Sequence, residues 1–388
     1  MSVALAHIPP AADAPLDLDL VLPQLTAAFA ATADRHDREA SFPFENFDLL
    51  REHGLLALTA PLRFGGKAAD LPTALKVVQA VARGEPATAL VLVMQYLFHA
   101  SLDGRAGFTD ELKAQVVRDA VETGALINAL RVEPELGTPA RGGLPATVAR
   151  RTADGWSLSG RKIYSTGSPA LTWMIVWART DEANPRVGGF LVHKDAPGRR
   201  IEETWDHTGL RASGSHDVVF EDTPVHHALN PSLPGAPQAP DPTMAVWSPV
   251  LTAAIYDQVA RAARDWFGRW LIERQPANLG ASLSTLPRFQ ELLGEIDGLL
   301  LQNRVLLESA AEGRLGAAQG GLVKHLVTEN AIAAVEKAIA ASGNPGLSRH
   351  NPLQRHFRDV LCGRIHTPQA DVVLTAAGRQ AFAALATA

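Results

Sequence analysis

Cysteine is almost absent. Cys362 is the single one in 388 residues, so the chain can form no disulfide within itself and no cysteine-based metal site. That usage suits a reducing compartment, and a cytoplasmic location is expected. No Lys or Arg precedes Arg35. A secretory leader needs a basic start and an apolar core, so none is expected. No uninterrupted apolar run reaches about 18 residues, and a membrane span is not expected either. A basic excess is also missing: Lys and Arg number 36 against 41 Asp and Glu, a net charge of -5. Nucleic-acid binding needs a basic face, so no nucleic-acid partner is expected. Internal repeats are lacking. What remains is a globular composition, 46% hydrophobic and 20% charged, with length for two or three domains.

The informative stretch is residues 155–222. Trp173-Met174-Ile175-Val176-Trp177-Ala178-Arg179-Thr180 and Gly189-Phe190-Leu191-Val192 are β-rich runs bounded by Gly and Pro clusters, which read as short strands. Nearly everything else reads as helix. Residues 1–17 are Ala/Pro-rich and form an expected flexible N-terminus. From 18 the pattern turns helical, with Leu22, Leu25, Ala28 and Phe29 in step. A short helix over 42–55 ends at Gly54, a helix follows over 72–83, and 87–103 is apolar nearly all round, which predicts burial inside a bundle. Within it Gln95 and His99 share a face; on this fact alone His99 reads equally as a core histidine bonded to a backbone carbonyl. A Pro-rich linker spans 236–243. Helices then follow over 245–274, 286–313 and 317–342, the second with Phe289, Leu292, Leu293, Ile296, Leu299 and Leu300 on one stripe. A last helix starts at Pro352 and leads to an Ala-rich tail. The expectation is an α+β chain: an N-terminal helical domain (18–125), a middle β-barrel-like domain (126–235) and a C-terminal four-helix bundle (244–388). The apolar stripes exceed what one bundle buries, which suggests a homodimer or homotetramer.

Five stretches carry a resemblance: 42–66, Val132-Glu133-Pro134-Glu135-Leu136-Gly137-Thr138, 155–166, 209–222, and Arg358-Asp359. In this order and spacing the chain resembles the acyl-CoA dehydrogenase superfamily of flavoproteins over nearly its whole length. The resemblance implies a flavin, FMN or FAD, between the β-domain and the C-terminal helices. It implies that the backbone at Arg131 and Val132 reaches the flavin ring. Thr138 would donate to the flavin phosphates, and Thr166 would contact the ring near N5. Tyr164 replaces the usual Trp and remains an aromatic able to cover the ring. Ordinary turn chemistry is the alternative for Thr138 and Thr166.

The sequence departs from the dehydrogenases at their base. The family glutamate commonly lies eight positions after the Asp of the Arg-Asp pair, and here that position is Thr367. Threonine cannot act as a carboxylate base near neutral pH. The helix around 245–256, where other members carry the base, holds no acid, and Asp257 is the nearest. His366-Thr367-Pro368 instead resembles the His-Asp-Pro of the flavin-dependent monooxygenases of this fold, the dibenzothiophene monooxygenase-like branch. His99 fits their early-helix histidine. His99, His366 and Thr166 are then the candidate catalytic residues, with imidazole as donor or proton shuttle; capping of a helix or packing on Arg358 is the alternative for His366. A small-molecule substrate and a separate flavin reductase are the implied partners. For the adenosine end of FAD, Arg274, Gln290 and Asn344 are the candidates, but the usual Phe-Gly and Gly-Gly neighbours are missing, so FMN is as well supported as FAD. Two alternatives stay open: an FAD-dependent acyl-CoA dehydrogenase with a displaced base, and a non-catalytic flavin-fold binding protein.

Overall fold

A computed structural model describes residues 16–105, 107–136, 143–225, 227–233 and 241–387. The first block is five helices: α1 (Leu18–Glu39), α2 (Phe44–Glu52), α3 (Leu71–Gly84), α4 (Pro86–Ala100) and α5 (Asp110–Glu122). Their starts are written locally. The side chains of Asp17, Asp70 and Glu85 accept the first free N–H groups of α1, α3 and α4, the capping that those orphan donors require. Helix α4 stops at Ala100, where Ser101 Oγ turns back onto Leu97 O at 2.9 Å. It is buried along nearly its whole length. Helix α5 is not marked in the sequence reading, although Leu112, Lys113, Val116, Val117 and Ala120 form its buried stripe.

The middle block is one eight-stranded sheet: β1 (Leu126–Leu130), β2 (Val148–Thr152), β3 (Gly155–Lys162), β4 (Leu171–Thr180), β5 (Val187–His193), β6 (Arg199–Glu202), β7 (Asp217–Val225) and β8 (His227–Ser232). The order is β6-β7-β3-β2-β4-β5-β8, with β1 parallel to β4. Strand β4 reads as a continuous apolar run because both its faces are covered. Leu171, Met174, Val176 and Ala178 face the main core. Trp173 and Ile175 face a second cluster with Phe98, Phe108, Val116 and Val117.

The last block holds α6 (Pro242–Glu273), α7 (Pro287–Ala311), α8 (Gly320–Ser342), the short α9 (Asn344–Leu347), α10 (Leu353–Leu361) and α11 (Ala370–Thr387). Helix α6 is its axis, packing on α3, α4, α7, α8 and α10, and Val250 to Ala260 is buried almost throughout for that reason. Past Pro352 there are two helices instead of one helix and a tail. The segment 362–369, containing Gly363 and Pro368, separates them, as helix-breaking residues do.

Beside the packing of α6 on α3 and α4, one polar knot joins all three blocks. Arg358 on α10 donates to both oxygens of Asp37 on α1, at 2.9 and 2.6 Å, and to Thr208 O. Its neighbour Asp359 accepts the Leu210 N–H at 2.7 Å. Arg211 Nε reaches Asp37 O at 2.7 Å. Gly209 permits this approach, because a Cβ there would lie 2.4 Å from Arg358 O.

Asp37→Ala is expected to leave Arg358 partly buried without its carboxylate. Breaking a pair of this kind costs about 2–3 kcal/mol after allowing for the guanidinium's partial exposure, read as a lower urea midpoint at unchanged slope. Burial raises the Asp359 carboxyl from 3.8 to about 7. The folded chain therefore holds a proton that the unfolded chain has released, and this group's contribution is full below pH 4 and lost as pH rises to about 7. Asp359→Asn keeps an acceptor for Leu210. The stability of the wild type relative to this variant should fall between pH 4 and 7, measured by denaturant titration at each pH.

Candidate functional site

The turn after β3 is built under strain. Tyr164 sits at φ 54°, a left-handed conformation that costs a non-glycine residue roughly 1–2 kcal/mol. Neighbouring backbone holds it there. Ile163 N–H donates to Val132 O at 3.0 Å, Ser165 N–H to His216 O at 3.1 Å, and Gly167 N–H to Ser213 O at 2.9 Å. Asn128 Nδ2 donates to Thr166 O at 3.0 Å. The structure thus brings Val132, Tyr164 and Thr166 together at the end of β1. The Tyr164 ring is 53% exposed and stands edge-on to Trp205 and His207, which stack on each other at 3.7 Å. Thr166 Oγ1 accepts from Ser215 Oγ at 3.1 Å, which leaves the threonine's own hydroxyl proton uncommitted among the described residues. An exposed aromatic ring, a free hydroxyl donor and adjacent backbone, all on one strained turn, suit a flat heteroaromatic ligand such as the flavin ring. Arg131 adds a guanidinium 5.0 Å from the centre of the Trp177 ring. Thr138 lies outside the described residues.

Beneath this turn is an ion pair that the sequence reading misses. Lys162 and Glu133 are both fully buried and meet at 2.6 Å. Glu133 also accepts Ala146 N at 2.6 Å and Thr147 N at 3.0 Å. Burial lowers the Lys162 ammonium to about 8, opposed by the Glu133 hydrogen bond and charge. The signal was present: Trp156, Leu158 and Lys162 share the inward phase of β3.

His366 lies in the segment between α10 and α11. Its Nδ1 makes a short hydrogen bond with Tyr256 Oη on α6. Lys324 on α8, itself buried, donates to Gly363 O and His366 O, both at 2.7 Å. Burial, with Lys324 as a second cause, lowers the His366 imidazole to about 4. Neither Tyr256 nor Lys324 is picked out by sequence. The one sits in an apolar run, and the other reads as an ordinary surface lysine until its helix is seen packed on α6 and α7.

His99 is in a different setting. It is wholly buried, and neither ring nitrogen has a hydrogen-bond partner of good geometry. Burial lowers it to about 4, although the Leu56 carbonyl lies near enough to oppose that shift. No hydrogen bond joins His99, Thr166 and His366 to one another among the described residues. Asp257 is also unavailable as a base: it is fully buried and bonded to Arg261 Nε at 2.7 Å.

The three adenosine-end candidates lie on separate elements. Arg274 is the exposed C-cap of α6. Gln290 Nε2 bonds Ser284 O at 3.0 Å and lines a cavity of about 500 Å³ with Arg264, Arg269 and Leu293. Asn344 opens α9.

Three domain families match along the chain: the acyl-CoA dehydrogenase N-terminal domain over 24–123, the middle domain over 131–223, and the C-terminal domain over 258–369. The Bacillus subtilis (strain 168) protein YdbM, named for acyl-CoA dehydrogenases, is 35% identical over 91% of this chain and 93% of its own. L-evernosamine nitrososynthase from a Micromonospora species is 29% identical over 92% of this chain and 87% of its own. The crystal structure of KijD3 with FMN and a dTDP-linked 3-amino sugar superposes with a TM-score of 0.79 at 29% identity, covering 94% of this chain and 92% of the other. With all three blocks matched and a 35%-identical relative aligned along 91% of this chain, the chain belongs to the acyl-CoA dehydrogenase family of flavoproteins.

Proposed function

We propose that this protein is the oxygenase component of a two-component flavin monooxygenase. It takes reduced flavin from a separate reductase and acts on a small organic substrate. The observation that carries the reading is at the family base position. Thr367 stands there, no acid occupies 245–256, and the adjacent residue is His366 bonded to Tyr256. A dehydrogenase must remove a proton next to a carbonyl, and the carboxylate nearest to 245–256, Asp257, is buried and bonded to Arg261.

Reduced flavin, when bound, supplies the reaction with activated oxygen. The chain's own residues do the rest. Tyr164 covers the ring, and Thr166 donates its free hydroxyl beside it. His366 holds a proton near the reacting oxygen. His99, buried with neither ring nitrogen hydrogen-bonded among the described residues, is the second candidate imidazole. A nitrososynthase at 29% identity is in keeping with this reading, and a 29%-identical protein solved with FMN supports FMN as readily as FAD, while the 35%-identical YdbM is named for acyl-CoA dehydrogenases. Exposed apolar residues on α7 and α11, among them Leu301, Val305, Phe382 and Leu385, support a homodimer or homotetramer.

Two experiments test this. Mixing the flavin-loaded protein anaerobically with acyl-CoAs of varied chain length should leave the flavin oxidised. Bleaching at a catalytic rate would establish the dehydrogenase reading instead. In the second, His366→Ala supplied with reduced flavin and oxygen should release hydrogen peroxide faster than wild type, by about tenfold or more, measured with a peroxidase-coupled dye. Equal release from both proteins removes His366 from the oxygen chemistry.

A further inference from the structure

Tyr256 lies midway along α6, wholly buried, its ring 5.9 Å from that of His366. The hydrogen bond to His366 Nδ1 is the one its hydroxyl makes among the described residues. Burial, with Cys362 and Asp359 nearby, pushes the phenol well above its ordinary range, so it is a protonated donor at any physiological pH. A buried O–H left without an acceptor is costly, and Nδ1 is the acceptor at hand. Nδ1 must then present a lone pair. In a neutral imidazole the single proton is therefore on Nε2, and no residue described here bonds that nitrogen.

Lys324 supplies the second restraint. It is 2% exposed, and its ammonium grips two main-chain carbonyls, Gly363 O and His366 O. The nearby carboxylate, Glu329, is already taken by Arg364 at 2.6 Å. Burial lowers the Lys324 ammonium to about 8, so near neutral pH it carries its charge beside His366 and opposes protonation of the ring. Tyr256 from α6 and Lys324 from α8 act on His366 directly; Asp359 and Cys362 lie near Tyr256, Glu329 of α8 pairs with Arg364, and α11, which opens with Asp371, follows the segment.

We propose that Tyr256 and Lys324 are positioning residues that fix His366 as a neutral imidazole with its proton on Nε2, so that it serves as a hydrogen-bond donor and not as a proton acceptor. The role of that donor rests on the oxygenase reading above, whereas the protonation assignment does not.

The test separates the two. Cofactor-free protein labelled with 15N-histidine is examined by long-range proton–nitrogen correlation from pH 5 to 8, with the His366 signals identified by their loss in His366→Gln. The expected spectrum is the Nε2–H tautomer throughout the range, with Tyr256→Phe moving it toward a mixture of both tautomers. An Nδ1–H tautomer, or an imidazolium at pH 7, in the wild type overturns the proposal, and this needs no variant to fold. In the flavin-loaded protein, Tyr256→Phe should lower kcat for oxygenation by roughly 10–100-fold, the range seen when the partner orienting a functional histidine is lost, with KM little changed. An unchanged kcat overturns the positioning role. If the tautomer is as stated but no oxygenation occurs with either protein, the oxygenase reading fails and the assignment stands.

Discussion

The polar contacts that join all three blocks converge on one residue, Asp37, and reinforce the packing of α6 on α3 and α4. Asp37 closes the first helix, and it is there that the last block reaches back 321 residues through Arg358. Arg211 and Thr208 from the sheet's long loop join the same knot. A bidentate guanidinium–carboxylate pair is directional as well as strong. It therefore sets the angle at which α10 meets α1, and Asp359 then hooks Leu210 from the adjacent position. The strained turn at Tyr164 and the His366 segment belong to different blocks. This contact, together with the packing of α6 on α3 and α4, holds them in place relative to each other.

The block order, the strands β4 and β5, and most helices were legible because each is encoded locally. Apolar stripes recur every three or four residues, and β4 is a run rich in β-branched and aromatic residues. The family motifs carried Val132, Tyr164 and Thr166, which the fold does gather at one turn. Other features had no local trace. Asp37 gives no sign of its partner, because pairing across the chain is a property of topology. Lys324 looks like a surface residue, since a helix with apolar groups on all sides hides which face is covered. His99 fits a motif position, yet a motif cannot say whether an imidazole nitrogen can reach a ligand. Arg274, Gln290 and Asn344 were matched one by one, on elements that lie far apart in sequence.

Two buried lysines show two solutions to the same problem. An ammonium taken out of water must be paired or fully hydrogen-bonded. Lys162 takes Glu133, and that carboxylate also binds the backbone at 146–147. The pair is neutral overall, and it fastens both ends of the segment that follows β1. Lys324 takes carbonyl dipoles instead, so its charge is not cancelled. The first arrangement builds a wall, and the second sets a local potential.

Because Lys324 holds main-chain oxygens, its grip does not depend on which side chains the segment carries. Every residue has a carbonyl. Positions 366 and 367 can therefore be exchanged by mutation while the turn keeps its path, with Thr367 already exposed. That is a structural route by which descendants of one fold could trade a carboxylate for an imidazole and acquire a new reaction. On this view the clamp confers evolvability on the position next to it.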